Sequence, residues 1–130
     1  MKICDLPYEF ALSVLMSDQL HIDFNYHQNP NNERIERMIN RIEEDNLSVQ
    51  PFVVSLRDNK YYIIQDADVK LALDMINVEK SYPVFCYVCN TESYAEEVGI
   101  STKIYNYRYD ASKRKIERIK NEYKKIHSNA

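Results

Sequence analysis

The apolar positions along this chain change period several times, and each change marks an element. Residues 33–45 carry Ile35, Met38, Ile39 and Ile42 at i, i+3, i+4, i+7, opposed by Arg and Glu, which is the pattern of an amphipathic helix. Elsewhere the period is two. Ile22, Phe24 and Tyr26 fall on one face of residues 21–26, predicting a strand. Residues 49–56 and 61–65 are β-branched and aromatic runs around Arg57-Asp58-Asn59-Lys60, which predicts a hairpin. Residues 81–88 are almost continuously apolar, as suits a central strand covered on both faces. Helical spacing returns after Asp66 at Val69, Ala72, Leu73 and Ile76, with Asp66 as N-cap.

The remaining stretches complete the outline. Residues 7–16 read as a short helix with Pro7 in its first turn. Residues 28–32 have turn chemistry, with Asn31 or Asn32 able to cap the helix that follows and Asn46 to stop it. Residues 91–98 read as a second short helix ended by Gly99 at C′. Residues 102–109 alternate with Tyr105, Tyr107 and Tyr109 on one face, a strand. Asp110 then caps a long helix whose Ile116, Ile119, Tyr123 and Ile126 form the stripe expected to be buried. The expected architecture is α/β (α+β), a small mixed β-sheet with packed helices and an added C-terminal strand and basic helix. It is expected as a single domain, 1–130, with an N-terminal helix in 1–19, a core in 20–90 and an extension in 91–130.

Composition narrows the chemistry. The 130 residues are 45% hydrophobic and 28% charged, ordinary for a globular chain. A single glycine, Gly99, excludes multi-glycine phosphate loops and dinucleotide fingerprints. No apolar run reaches membrane-spanning length and the N-terminus carries acids rather than a signal sequence, so a cytoplasmic protein without a membrane partner is expected. The net charge of −3 is unevenly placed: residues 111–130 hold seven Lys or Arg against two Glu, +5, while residues 1–110 come to −8. A basic tail on an acidic body suggests a partner-binding arm or attraction between the two parts.

The order of pieces carries a resemblance. His21-Ile-Asp-Phe, Asn29-Pro30, the amphipathic helix, Gln50-Pro51 opening a strand, the hairpin, the strand running into a helix, and Tyr82-Pro-Val-Phe-Cys-Tyr-Val88 together resemble the N-terminal domain of ParB-type partition proteins. That domain shares its fold with sulfiredoxin, and the likeness covers about residues 20–90. The resemblance implies a G-[E/H]-R-R or G-x-H-R phosphate motif after the second hairpin strand. Here those positions are Asp66-Ala67-Asp68-Val69, and Ala67 stands where sulfiredoxin has its catalytic cysteine. Two acids at a helix start repel a phosphate at about 4 Å by roughly 1–4 kcal/mol per charge pair, so a nucleotide would need a cation between them. The phosphate chemistry of the family is expected to be lost.

Other constellations have both a chemical and a plain reading. Asp66 and Asp68, with Asp58, Asp74 or Gln50 nearby in sequence, are the alternative metal or nucleotide site of a divergent hydrolase or Mg²⁺-dependent nuclease. Capping and dipole complementation explain the same two acids without chemistry. Cys86-Tyr-Val-Cys89 has C-x-x-C spacing, but in a strand residues three apart face opposite ways, which fits buried thiols better than zinc or a redox pair. His21, His27 and His127 form no helical pair, and no local spacing supports a Ser-His-Asp or Cys-His arrangement. No catalytic residue, cofactor or metal ligand is assigned. The candidates for nucleic-acid or partner binding are Lys113, Arg114, Lys115, Arg118, Lys120 and Lys124, with Tyr105, Tyr107 and Arg108 preceding them. The expectation is a non-enzymatic ParB-like protein engaging a protein or nucleic-acid partner, in a plasmid- or phage-associated setting that the resemblance alone implies. A homo-oligomer is compatible with it.

Overall fold

A computed structural model of the chain describes residues 1–23, 31–44 and 49–128, with side chains through residue 126. The described strands are β1 (Ala11–Met16), β2 (Leu20–His21), β3 (Phe52–Arg57), β4 (Lys60–Ile63) and β5 (Pro83–Asn90), and the helices are α1 (Asn32–Glu43), α2 (Ala67–Ile76) and α3 (Tyr94–Ser128). The strands form one mixed sheet in the order β1-β5-β3-β4-β2. β5 is an interior strand, antiparallel to β1 and parallel to β3, as its apolar run predicts. β3 and β4 are the expected antiparallel hairpin. Asp58 and Asn59 at its tip both have positive φ, 53° and 63°, the two-residue type I′ turn whose twist matches the strands.

The period-two rule divides the core between the two faces of the sheet. Phe52, Val54, Ile63, Val84 and Cys86 point to one side, where Ala67, Val69 and Leu73 of α2 cover them. Val53, Ile64 and Cys89 point to the other, under Ile100 and Ile104 of α3 and under Leu6 and Phe10 of the N-terminal segment. α1 packs on α2. Its start is set by Asn31, whose side chain accepts from the Glu33 N–H at 2.9 Å, and its buried residue is Ile35. The α/β expectation therefore holds.

Three expectations about the ends do not. Residues 11–16, expected in a helix, form β1. With Ser13 the one polar residue between Phe10 and Met16, helical and extended readings are equally apolar, and pairing along the whole of β1 with β5 decides for the strand. The expected short helix 91–98, strand 102–109 and final helix are all one continuous α3. Gly99 lies inside it rather than at a C′ position, and Asp110 caps nothing. Continuing a helix needs no new nucleus, and Ile100 and Ile104, one turn apart, give residues 100–104 a buried helical contact that outweighs their β-propensity. Finally, the stripe Ile116, Ile119, Tyr123 and Ile126 is present but not buried; the four side chains are 53%, 55%, 62% and 72% exposed. Of the strand predicted over 21–26, only His21 lies in a strand, β2, and residues 22–23 leave it; residues 24–26, Asn29-Pro30 and Asn46 lie outside the described residues.

Leu12, Val14 and Met16 alternate on one face of the edge strand β1, and Val14 pairs with Phe85 of β5. All four side chains are exposed, so this strip of sheet lies beyond the cover of α3.

Candidate functional site

The turn from β4 into α2 is a strand-to-helix junction opened by an acid. Asp66 sits in the left-handed region, φ 66° and ψ 38°, where glycine is the natural occupant and Asp or Asn the next best. Its backbone starts the helix, the carbonyl accepting from the Lys70 N–H at 3.2 Å. Its side chain makes no capping bond, which corrects the expectation of a side-chain N-cap. Capping needs an extended φ, ψ at this position. The carboxylate instead accepts from Arg108 Nη1 of α3, 3.2 Å and 3.4 Å from its two oxygens.

Asp68 stays in the first turn of α2, its Oδ1 accepting from the Val69 N–H at 3.0 Å. Asp74 is engaged by Lys70 Nζ and by the Tyr82 hydroxyl at 2.7 Å. Asp58 is out at the hairpin tip, 3.9 Å from Arg57. Each of the four acids of the metal-site alternative thus has its own partner, and among the described residues no three His, Cys, Asp or Glu side chains converge.

Beside the junction lies a cleft of about 700 Å³ whose wall includes Ile3, Met38, Val53, Val69 and Ile104. Gln50, Tyr107 and the Asp66–Arg108 pair are its polar elements near the turn. Arg108 closes this side of the cleft as the ion-pair partner of Asp66 at 3.2 Å.

The basic candidates all lie on the second part of α3. Every residue from 105 to 126 is exposed. At 100° per residue, Lys113, Lys115 and Lys120 flank the apolar stripe, while Arg114, Arg118 and Lys124 lie toward the back of the helix. The positive charge therefore encircles the helix instead of gathering on one face. The helix also separates the tyrosines expected together: Tyr105 and Tyr109 share a face one turn apart, and Tyr107 points away from them to the cleft.

One constellation was hidden in the sequence. Glu97, fully buried, accepts from the Ser55 hydroxyl, from Arg57 Nε at 2.9 Å and from Thr91 Oγ1 at 3.3 Å. Arg57 also reaches Asp23 at 3.2 Å, and its guanidinium lies 4.2 Å from the centre of the Tyr62 ring. Its hydrogen bond to the Glu97 carboxylate holds the Arg57 guanidinium above its already high range. Next to it, Ser93 and Glu96 form a reciprocal cap. Glu96 accepts from the Ser93 N–H at 3.1 Å and Ser93 Oγ from the Glu96 N–H at 3.4 Å. These bonds tie the first turn of α3 to the ends of β3 and β5. The signals available in the sequence were Ser93-x-x-Glu96 and a serine, Ser55, amid the apolar run of β3.

The two strand cysteines face opposite ways, Cys86 into the α2 side of the core and Cys89 into the α3 side. Burial pushes the Cys86 thiol up to about 11 and, with Glu97 adding to it, Cys89 up to about 12. Neither is poised as a thiolate nucleophile at neutral pH.

No protein-family model matches this sequence. No curated protein matches it either. Among solved structures it is similar to sulfiredoxin from Arabidopsis thaliana, at 13% identity and a TM-score of 0.50, over 71% of this chain and 97% of that one. A Pnob8-like ParB-N domain aligns at 17% identity and a TM-score of 0.49, over 70% of this chain and 34% of that one. The chain has a sulfiredoxin-like fold. At these identities the likeness concerns the fold alone.

Proposed function

We propose that this protein is a non-enzymatic binding protein of the cytoplasm, a ParB/sulfiredoxin-like scaffold that presents the second part of α3 to a macromolecular partner. The observation that carries the reading is the exposure of Ile116, Ile119 and Ile126 on a helix segment that no part of the described body covers. Isoleucines in a regular row at 53–72% exposure are unfavourable in water unless something covers them in use. A protein partner fits this better than nucleic acid. Phosphates would leave the isoleucines wet, and basic groups ringing a helix cannot all meet one backbone. The plasmid- or phage-associated setting belongs to the proposal and rests on the sequence resemblance to ParB-type domains.

The enzymatic alternative, a nucleotide hydrolase or nuclease built on Asp66 and Asp68, has less behind it, because Arg108 occupies Asp66 and Asp68 bonds to its own helix. Thermal melts with millimolar ATP or CTP and Mg²⁺, together with fluorescence anisotropy on duplex DNA and single-stranded RNA, separate the readings. The proposal expects an unchanged melting temperature and, for nucleic acid, only weak binding that vanishes near physiological salt. A ligand at a hundred times its Kd stabilises by about 2.7 kcal/mol, so a rise of several degrees with nucleotide would overturn it. Tight nucleic-acid binding at 150 mM salt would do the same.

A further inference from the structure

The exposed row on α3 has a stricter pattern than a general amphipathic face. Tyr105, Tyr109, Ser112, Ile116, Ile119, Tyr123 and Ile126 are spaced 4, 3, 4, 3, 4 and 3 residues apart. This is an a/d heptad seam over three heptads, apolar or aromatic at every position except Ser112, and α3 is helical along all of it. A seam confined to a and d is the narrow interface of a two-helix coiled coil, not the broader apolar face of a membrane-surface helix.

The residues flanking the seam select the partner. On one side are Lys113 and Lys120; on the other are Lys115 and Glu122, after Arg108, which is committed to Asp66. A parallel pair of two copies would set Lys115 of one against Lys120 of the other, twice. An antiparallel pair would set Lys113 against Lys120 twice, which offsets its two Lys115–Glu122 attractions. Self-pairing therefore has no electrostatic gain in the antiparallel arrangement and a penalty in the parallel one. A helix with Asp or Glu in its flanking positions turns each of the three lysines into an attractive pair. The body of this chain, at −8, would repel such a helix from everything except the arm, at +5.

We infer that α3 pairs in a coiled coil with an acidic amphipathic helix of a different protein, through residues 105–126. This rests on the reading of α3 as a partner-binding arm and names the chemistry of the partner.

The test uses the full chain and two designed peptides of four heptads with Ile at a and Leu at d. One carries Glu at every e and g position, and the other Lys. Anisotropy of the labelled peptides should show saturable binding of the Glu peptide, weakened at least tenfold by Ile119→Asp and by Lys113→Glu/Lys120→Glu, and no comparable binding of the Lys peptide. Circular dichroism of Ile119→Asp alone checks that the body is still folded; a variant that fails it is replaced by Ile116→Asp. Equal binding of both peptides, or none of the Glu peptide, overturns the inference. So does sedimentation of the chain alone as a dimer that Ile119→Asp dissolves, or Ile119-dependent binding to anionic vesicles. Those last two outcomes would leave the arm a docking element with a different occupant. Failure of every probe, including nucleic acid, would remove the partner-binding reading itself.

Discussion

Replacing Glu97 with alanine is the sharpest test of how α3 is attached. The carboxylate is fully buried and takes hydrogen bonds from Ser55, Arg57 and Thr91. Removing it strands the Ser55 hydroxyl in the core and leaves the Arg57 guanidinium, whose side chain is 13% exposed, short of a counter-charge. Breaking one side of a buried ion pair costs about 3–5 kcal/mol. Arg57 keeps Asp23 and the face of Tyr62, so the lower end, about 3 kcal/mol, is expected. For a chain of this length that lowers Tm by roughly 10 °C and the urea midpoint by roughly 1–3 M. Glu97→Gln preserves the shape and one acceptor and should cost about half as much. In a double-mutant cycle with Arg57→Ala, the combined loss should fall short of the sum by at least about 1 kcal/mol. A Glu97→Ala cost below about 1 kcal/mol, or additivity within about 0.5 kcal/mol, would refute the network as the anchor of the helix.

Other changes have equally definite outcomes. Gly99 is in the interior of α3 and a methyl group there would meet no atom within 4 Å beyond its own helix backbone and chain neighbours, so Gly99→Ala should stabilise by about 0.5–1 kcal/mol, seen as a Tm rise of a few degrees. Among the thiols, the half-exposed Cys4 should react with a disulfide reagent in the native protein while Cys86 and Cys89 react only after unfolding. Because folding raises both buried thiol pKa values, to about 11 and about 12, against about 8.5 in the unfolded chain, the native state holds more protons than the unfolded one above that pH. The thiols' contribution to stability should be constant below about pH 8 and be lost between about pH 9 and 12, and the urea midpoint should show a shallower fall over that range in Cys89→Ala. On the edge strand, Val14→Lys places a charge in the middle of the exposed β1 strip. It should reduce high-molecular-weight material on size-exclusion chromatography with a Tm change under about 0.5 kcal/mol equivalent, and unchanged aggregation would show that the strip is not an aggregation edge.

What could be read from the sequence was what a local period carries. Ile35, Met38, Ile39 and Ile42 mark α1, the runs around Asp58-Asn59 mark the hairpin, and the apolar stretch before Asn90 marks an interior strand. The errors came where period was silent or competed with tertiary contact. Residues 11–16 are apolar in either conformation, and only the pairing of Ser13 with Cys86 and its neighbours makes them a strand. The alternation of Tyr105, Tyr107 and Tyr109 is a genuine period-two signal. It was overruled by Ile100 and Ile104, which commit the preceding turns to a helix and carry the tyrosines with them. At the site, the residue types of the arm were legible but not their exposure, since a stripe of isoleucines looks alike whether its cover is internal or absent. The Glu97–Arg57 pair spans 40 residues and has no local signature.

The anchoring of α3 at its first turns makes the rest of it a lever. The helix has 35 residues, about 52 Å of rod, and its last buried residue is Ile104, so roughly 36 Å extends past the fulcrum. A swing of 10° there sweeps the tip through about 6 Å, roughly the height of one helical turn. The stiffness of the Glu97–Arg57–Ser55 knot thus sets how large a volume the tip searches. Loosening the knot would widen the reach of the arm toward a distant partner and raise the entropy lost when that partner holds it still.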